Sequence, residues 1–363
     1  MIQLSDSKTV VNSLTKEMRK NEDQGYILRK DARLTRATIA ELRMRGARTA
    51  ITWIKGHDGH AGNEQADRLA GQGARAALST EVQLDIPAAF RLTGAKVAVM
   101  TQRLAYRAIR AAATLQTVPR RAATANLDEA KREIARVSGV SLSDEAIWKA
   151  RRASIISKEY AQFIWKCIHD AFMVGHHWLK DRMPDELRER ATCKKCGAVD
   201  TLQHILVDCD AVGRQTVMTL LKKLCQRAGL TWTEPTWGLI LGAHCVPSTQ
   251  QPRRTSQAKG KLRAILWTES VHLVWKLRCE RVIQNENREF TREEVANRWH
   301  SAINLRIEQD RRMTSLALGK KAANPDEVRD IWERALDDRA NIPARWASEY
   351  GVLVGIGRLR EDG

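Results

Sequence analysis

The chain has 363 residues, with 61 Lys and Arg against 43 Asp and Glu, a net charge of +18, and is 43% hydrophobic and 29% charged. That balance suits a folded protein of roughly two or three domains and excludes wholesale disorder, and no apolar stretch nears the roughly 20 residues a bilayer span needs. The opening MIQLSDSKTVV lacks a basic, apolar leader and the seven cysteines are dispersed, which excludes a secreted disulfide scaffold in favour of an intracellular, nuclear or cytoplasmic protein.

A charge of +18 makes a polyanion the first partner to consider, and the positive excess falls before residue 289. Residues 2–5 read as the end of a strand, and Lys8–Lys20 as an amphipathic helix with Val10, Val11 and Leu14 inward. A second helix is expected over about Arg33–Arg45, then a β-branched strand over Arg48–Ile54, a glycine loop over Lys55–Gly62 and a helix over Asn63–Ala76. This strand–helix–strand–helix order is that of an α/β unit.

From Ala88 to Leu115 the sequence reads as helix, and Thr117–Asn126 as a linker. Further helix is expected over 142–179, a cysteine segment over 191–212, and helix to about Arg227. Pro247, Pro252 and neighbouring polar residues mark a loop over 243–260. A long helix follows from about Lys261 to Asn285, with more helix at 291–317 and 325–340. The expected organisation is a unit over 1–79, a helical linker region over 80–141, a helical cysteine-containing region over 142–317 and a helical tail over 318–363.

Two constellations carry chemistry. In the first, Asp6 stands at a strand end, and Asn63 and Asp67 share a helix face at i, i+4 behind the loop bearing His57. Carboxylates gathered at strand ends are how cation sites are assembled in α/β folds. Taken singly, Asp6 could instead cap the following helix and Asp67 could be a solvated helix residue. The patterns "SDS..VV..L" and "W..GH.G..GNE.AD.LA" resemble the second half of the ribonuclease H type 1 domain in the form carried by retrotransposons. That family holds two Mg²⁺ on four acidic residues and cleaves the RNA strand of RNA–DNA hybrids.

By motif position, the resemblance makes Asp6 and Asp67 the third and fourth carboxylates, His57 the proton-handling histidine and Asn63 the asparagine near the scissile strand. The antiparallel meander and helix that supply the family's other two carboxylates have no counterpart here. The sequence therefore predicts an α/β ribonuclease H-like remnant with an incomplete sheet, holding Mg²⁺ poorly unless a second chain, or residues upstream of the assigned start, complete it. The alternative is a non-catalytic nucleic-acid-binding protein with a vestigial remnant.

The second constellation, Cys193-x2-Cys196-x7-His204-x4-Cys209, has the ligand types and spacing of a structural Zn²⁺ knuckle within a mainly α-helical region. "CKKCG..DTLQHIL..C" resembles the zinc-binding motif downstream of the reverse transcriptase and ribonuclease H regions of non-LTR retrotransposons, and the flanking sequence resembles the C-terminal region of fungal elements of this kind. The resemblance implies nucleic acid as partner, an RNA–DNA hybrid or a single strand, and no membrane.

Arg253, Arg254, Lys259, Lys261 and Arg263 form a basic run suited either to phosphate contact or to a solvated face. Trp267, Trp275 and Trp299 fit a helical core better than base stacking, and Cys225, Cys245 and Cys279 lack ligand spacing and read as buried thiols.

Overall fold

A computed structural model describes residues 1–75, 84–245, 253–337, 339–349 and 354–359, with the backbone alone at Leu115, Arg253, Arg254 and Arg339. It divides into two units, Met1–Val118 and Pro119–Gly363. Residues 246–252 of the expected loop and the side chains of Arg253 and Arg254 lie outside the described residues. Among the described residues, no helix is long and apolar enough to cross a membrane.

The first unit is built on a two-stranded parallel sheet. Strand β1 (Ile2–Ser5) pairs with β2 (Ala50–Trp53) in the register Ile2 to Ala50 through Ser5 to Trp53. Parallel strands need a crossover, and α1 (Lys8–Leu14), α2 (Met18–Asp23) and α3 (Ala32–Met44) provide it.

The single helix expected over Lys8–Lys20 is two. Thr15 leaves helical geometry, φ −125° and ψ −92°, and ends α1, with its hydroxyl bonded to the Val11 carbonyl at 2.6 Å. Val11 is buried, but Val10 is exposed. In α3, Ala37, Ile39 and Ala40 face inward while Leu34 is exposed.

Helix α4 (Ala61–Arg75) follows the glycine loop and buries none of its residues, leaving Leu69 open to solvent. Ile2 is 73% exposed, and Leu4 and Trp53 are also exposed, so much of this small sheet's apolar surface remains uncovered. The helix expected from Ala88 exists only over α5 (Gln102–Gln116); Ala88–Phe90 and Val97–Val99 are short 3₁₀ turns.

The second unit is helical: α6 (Arg121–Ser138), α7 (Asp144–Ala150), α8 (Lys158–Ile168), α9 (Asp185–Arg188), α10 (Val212–Arg227), α11 (Trp237–Leu241), α12 (Arg253–Ile283), α13 (Arg292–Arg312) and α14 (Pro325–Trp332). Helix α6 starts inside the stretch expected to be linker, because its buried face, Ala123, Leu127, Ala130 and Ile134, has packing partners in this unit. It meets α11 at Gly238, where a Cβ would lie 2.5 Å from the Glu129 carbonyl oxygen, so glycine is what lets the two helices approach.

Helix α10 packs on α12 and α13, burying Val217, Leu220, Leu221 and Leu224. Trp299, Trp332 and Trp346 are fully buried in the same core and Trp267 nearly so, as a packing role for these rings requires. Serine and threonine caps set the helix starts: Ser157 accepts from the Tyr160 amide at 3.2 Å, and Thr291 from the Glu294 amide at 3.1 Å.

Candidate active site and metal centre

In the first unit, the cap of α1 is Ser7, whose hydroxyl accepts from the Val10 amide. That leaves the Asp6 carboxylate free of capping. Its Oδ2 accepts from Asn63 Nδ2 at 3.2 Å, and its backbone carbonyl accepts from Trp53 Nε1 at 2.9 Å, fixing the end of β1 to both β2 and α4.

Gly56 lies against this carboxylate; a Cβ there would approach Oδ2 to 3.0 Å. His57 adopts a left-handed backbone, φ 55°, an uncommon conformation for a residue with a Cβ. Its Nδ1 lies 3.7 Å from Asp67 Oδ2, and the ring is largely exposed. The fold thus brings Asp6 to Asn63 and His57 to Asp67, with Asn63 and Asp67 on one face of α4. Among the described residues, no group of three or more potential metal ligands forms here.

Such a group does form in the second unit. Cys193, Cys196, His204 and Cys209 place their ligand atoms within 4.8 Å of one another. Cys209 Sγ lies 3.8 Å from Cys193 Sγ and 3.7 Å from Cys196 Sγ. A tetrahedral ion with metal–sulfur bonds of about 2.3 Å sets its sulfurs about 3.8 Å apart, so the spacing suits Zn²⁺. His204 Nε2 is buried without a hydrogen-bond partner, as an imidazole awaiting a metal would be.

Burial pushes the Cys193 thiol up, but His204, the Cys196 and Lys195 amides and Arg281 outweigh it and lower its pKa. The pKa of Cys209 is raised, by burial first and then by the neighbouring cysteines. Sequence reading missed the surrounding contacts. Arg281 of α12 lies 4.0 Å from Cys193 Sγ, and the Asp210 amide donates to Cys196 Sγ at 3.3 Å. Buried Asp200 accepts from Arg278 Nε at 3.1 Å, tying the cysteine segment to α12. With four protein ligands the centre has no open position, which suits structure rather than hydrolysis.

Among the described side chains of the basic run, Lys259, Lys261 and Arg263 do not form one cationic face. Arg263 is buried, with its guanidinium 5.5 Å from the centre of the Trp267 ring, and burial lowers its pKa. Lys261 is ion-paired with Glu327 of α14. Neither is a free phosphate-facing cation: Arg263 is buried against Trp267 of its own helix and Lys261 is paired across to α14, while Lys259 is only partly buried. The Cys225 and Cys245 thiols are pushed up to about 12 by burial, which keeps them protonated and inert.

The N-terminal constellation has a clear counterpart among known proteins. Residues 2–75 match the RNase H family model. Over 27 residues the chain is 67% identical to the ribonuclease H of Nitrosomonas eutropha, covering 7% of this chain and 17% of that protein. Over 76 residues it is 38% identical to the ribonuclease H of Erythrobacter litoralis, covering 19% of this chain and 51% of that protein. The chain therefore spans about half, or less, of the length of these curated relatives. No solved structure gives a significant match. The RNase H-like segment coincides with the sheet, the loop bearing His57 and α4.

Proposed function

We propose that the first unit carries part of an RNase H-type site that hydrolyses the RNA strand of an RNA–DNA hybrid once further carboxylates reach it from another polypeptide segment. The observation that carries this reading is the convergence of the motif residues, with Asp6 bonded to Asn63 at 3.2 Å and His57 set 3.7 Å from Asp67.

Asp6 and Asp67 would hold a divalent cation. Two carboxylates are the hard oxygen ligands Mg²⁺ takes when water and phosphate oxygens complete its shell. When bound, such a cation stabilises developing phosphate charge and activates water. Asn63 orients the Asp6 carboxylate and offers its amide to the nucleic-acid backbone. His57, exposed beside Asp67, can carry a proton towards a departing oxygen.

The two carboxylates do not by themselves supply the four-acid, two-cation arrangement that the resemblance implies. The exposed Ile2, Leu4 and Trp53 give a completing segment an apolar face to cover. Manganese titration of the full chain by electron spin resonance tests the cation site. Weak binding that is lost in both Asp6→Asn and Asp67→Asn is expected. Binding undiminished in both variants would overturn the assignment.

A second reading is favoured by the cysteine cluster: a nucleic-acid-binding protein stiffened by structural Zn²⁺ on Cys193, Cys196, His204 and Cys209, with an RNase H-like unit that binds without cleaving. A retrotransposon origin accords with both readings. Zinc retained in full by a Cys193→Ser/Cys196→Ser variant would contradict the zinc assignment.

A further inference from the structure

Between α7 and α8 the chain turns through residues 151–157 and opens a cleft of about 570 Å³ lined by Arg151, Arg152, Ser154, Lys158, Gln162 and Trp165, with no carboxylate in its wall. Elsewhere in this unit arginines are commonly neutralised: Arg281 by Glu289, Arg298 by Glu280, Arg306 by Glu269. Among the described residues, by contrast, no carboxylate lies within ion-pair distance of Arg151, Arg152 or Lys158. Glu159, in the same turn as Lys158, acts on the His272 imidazole instead.

Arg151 is held in place. Its Nη1 donates to the Ala161 carbonyl at 2.7 Å, its guanidinium lies 5.8 Å from the centre of the Trp148 ring, and its Nε is buried without a partner. Burial, and then the charge of Arg152, lowers the pKa of its guanidinium, the mark of a cation lacking a counter-charge. Trp165 packs against His169 with ring centres 4.4 Å apart, yet remains 40% exposed. His169 stacks in turn on Trp148. A supported indole is thus offered at the edge of a patch of uncompensated cations.

We propose that this cleft is a single-stranded nucleic-acid site, with Arg151, Arg152 and Lys158 meeting backbone phosphates and Trp165 stacking on an unpaired base. Cations alone would suit any polyanion; the exposed ring selects a ligand with a free base face, which a duplex does not offer. The site lies wholly in the second unit and does not rest on RNA cleavage by the first.

The test is fluorescence anisotropy of the full chain with a labelled oligonucleotide of about 12 nucleotides, within the span of known single-strand sites. An Arg152→Glu/Lys158→Glu variant is expected to bind at least about tenfold more weakly, and the logarithmic salt slope to fall by about 1.4, since each phosphate contact on a single strand contributes about 0.7. Loss of one stacked base makes Trp165→Ala weaker by about 5- to 150-fold. That variant keeps the salt slope, and Trp165→Phe recovers part of the affinity.

Lys320→Glu/Lys321→Glu, an equal charge change on exposed residues, controls for net charge. The anisotropy is read without added divalent cation, on which the cleavage reading depends, so the two proposals fail separately. The proposal is overturned if the cleft variant loses no more affinity than the Lys320/Lys321 control. It is equally overturned if Trp165→Ala binds unchanged, or if polyglutamate displaces the oligonucleotide as well as an unlabelled strand does.

Discussion

His244 is buried in the helical unit, where its Nε2 donates to the Ile147 carbonyl at 3.2 Å and its Nδ1 has no partner. Tyr160 presents a ring edge to it at 6.4 Å, and burial first, then the Arg151 charge, lowers its pKa from 6.5 to about 4. A histidine whose folded pKa lies below its unfolded value contributes stability that is fully present above the unfolded pKa. That stability is lost as pH falls towards the folded pKa.

A shift from 6.5 to about 4 corresponds to a loss of about 3 kcal/mol between neutral pH and pH 4. Urea unfolding of the helical unit, followed by circular dichroism from pH 7 to pH 4, measures it. A His244→Gln variant retains a donor for the Ile147 carbonyl but cannot take up the proton. Its stability should therefore fall by about 3 kcal/mol less than that of the natural chain across the same range. Parallel pH profiles, agreeing within about 1 kcal/mol, would refute the buried neutral imidazole as the source.

Three further outcomes are expected. Asp200→Ala should destabilise the helical unit by about 3 kcal/mol in urea, because Arg278 is left partly buried without its carboxylate; a change under about 0.5 kcal/mol would place the pair with inconsequential surface bridges. Chelation, or the Cys196→Ser/Cys209→Ser change, should remove bound zinc and expose residues 193–209 to hydrogen exchange, since structural zinc contributes on the order of 10 kcal/mol in small domains. Gly56→Ala should weaken divalent-cation binding severalfold with little effect on folding, because its Cβ would press on Asp6 Oδ2 at 3.0 Å. Unchanged cation affinity would show that the carboxylate moves aside freely.

The parts of the fold legible in the sequence are those set by local spacing. The i, i+4 relation of Asn63 and Asp67, the two strands and the CxxC turn each depend on neighbours within a few residues, and each appears in the structure. What sequence reading missed depends on partners distant along the chain. Lys261 and Arg263 read as phosphate-facing or solvated because Glu327 lies 66 residues from Lys261 and the core that buries Arg263 is assembled from several helices. The helix break at Thr15 is a local exception, its hydroxyl reaching only back to Val11, whereas the start of α6 rests on packing against α11. The cleft at Arg151, Arg152 and Lys158 escaped notice because a basic run gives no sign of whether carboxylates will fold onto it.

Complementation tests whether the RNase H-like unit holds part of a hydrolytic site. The full chain, with Mg²⁺ and an RNA–DNA hybrid labelled on the RNA strand, is combined with a separate polypeptide carrying the strand meander, helix and two carboxylates of a bacterial ribonuclease H. The expected result is no hydrolysis by the chain alone, hydrolysis of the RNA strand on mixing, and loss of that hydrolysis with Asp6→Asn or Asp67→Asn. Persistent absence of hydrolysis despite formation of the mixed complex, or hydrolysis indifferent to both substitutions, would contradict it.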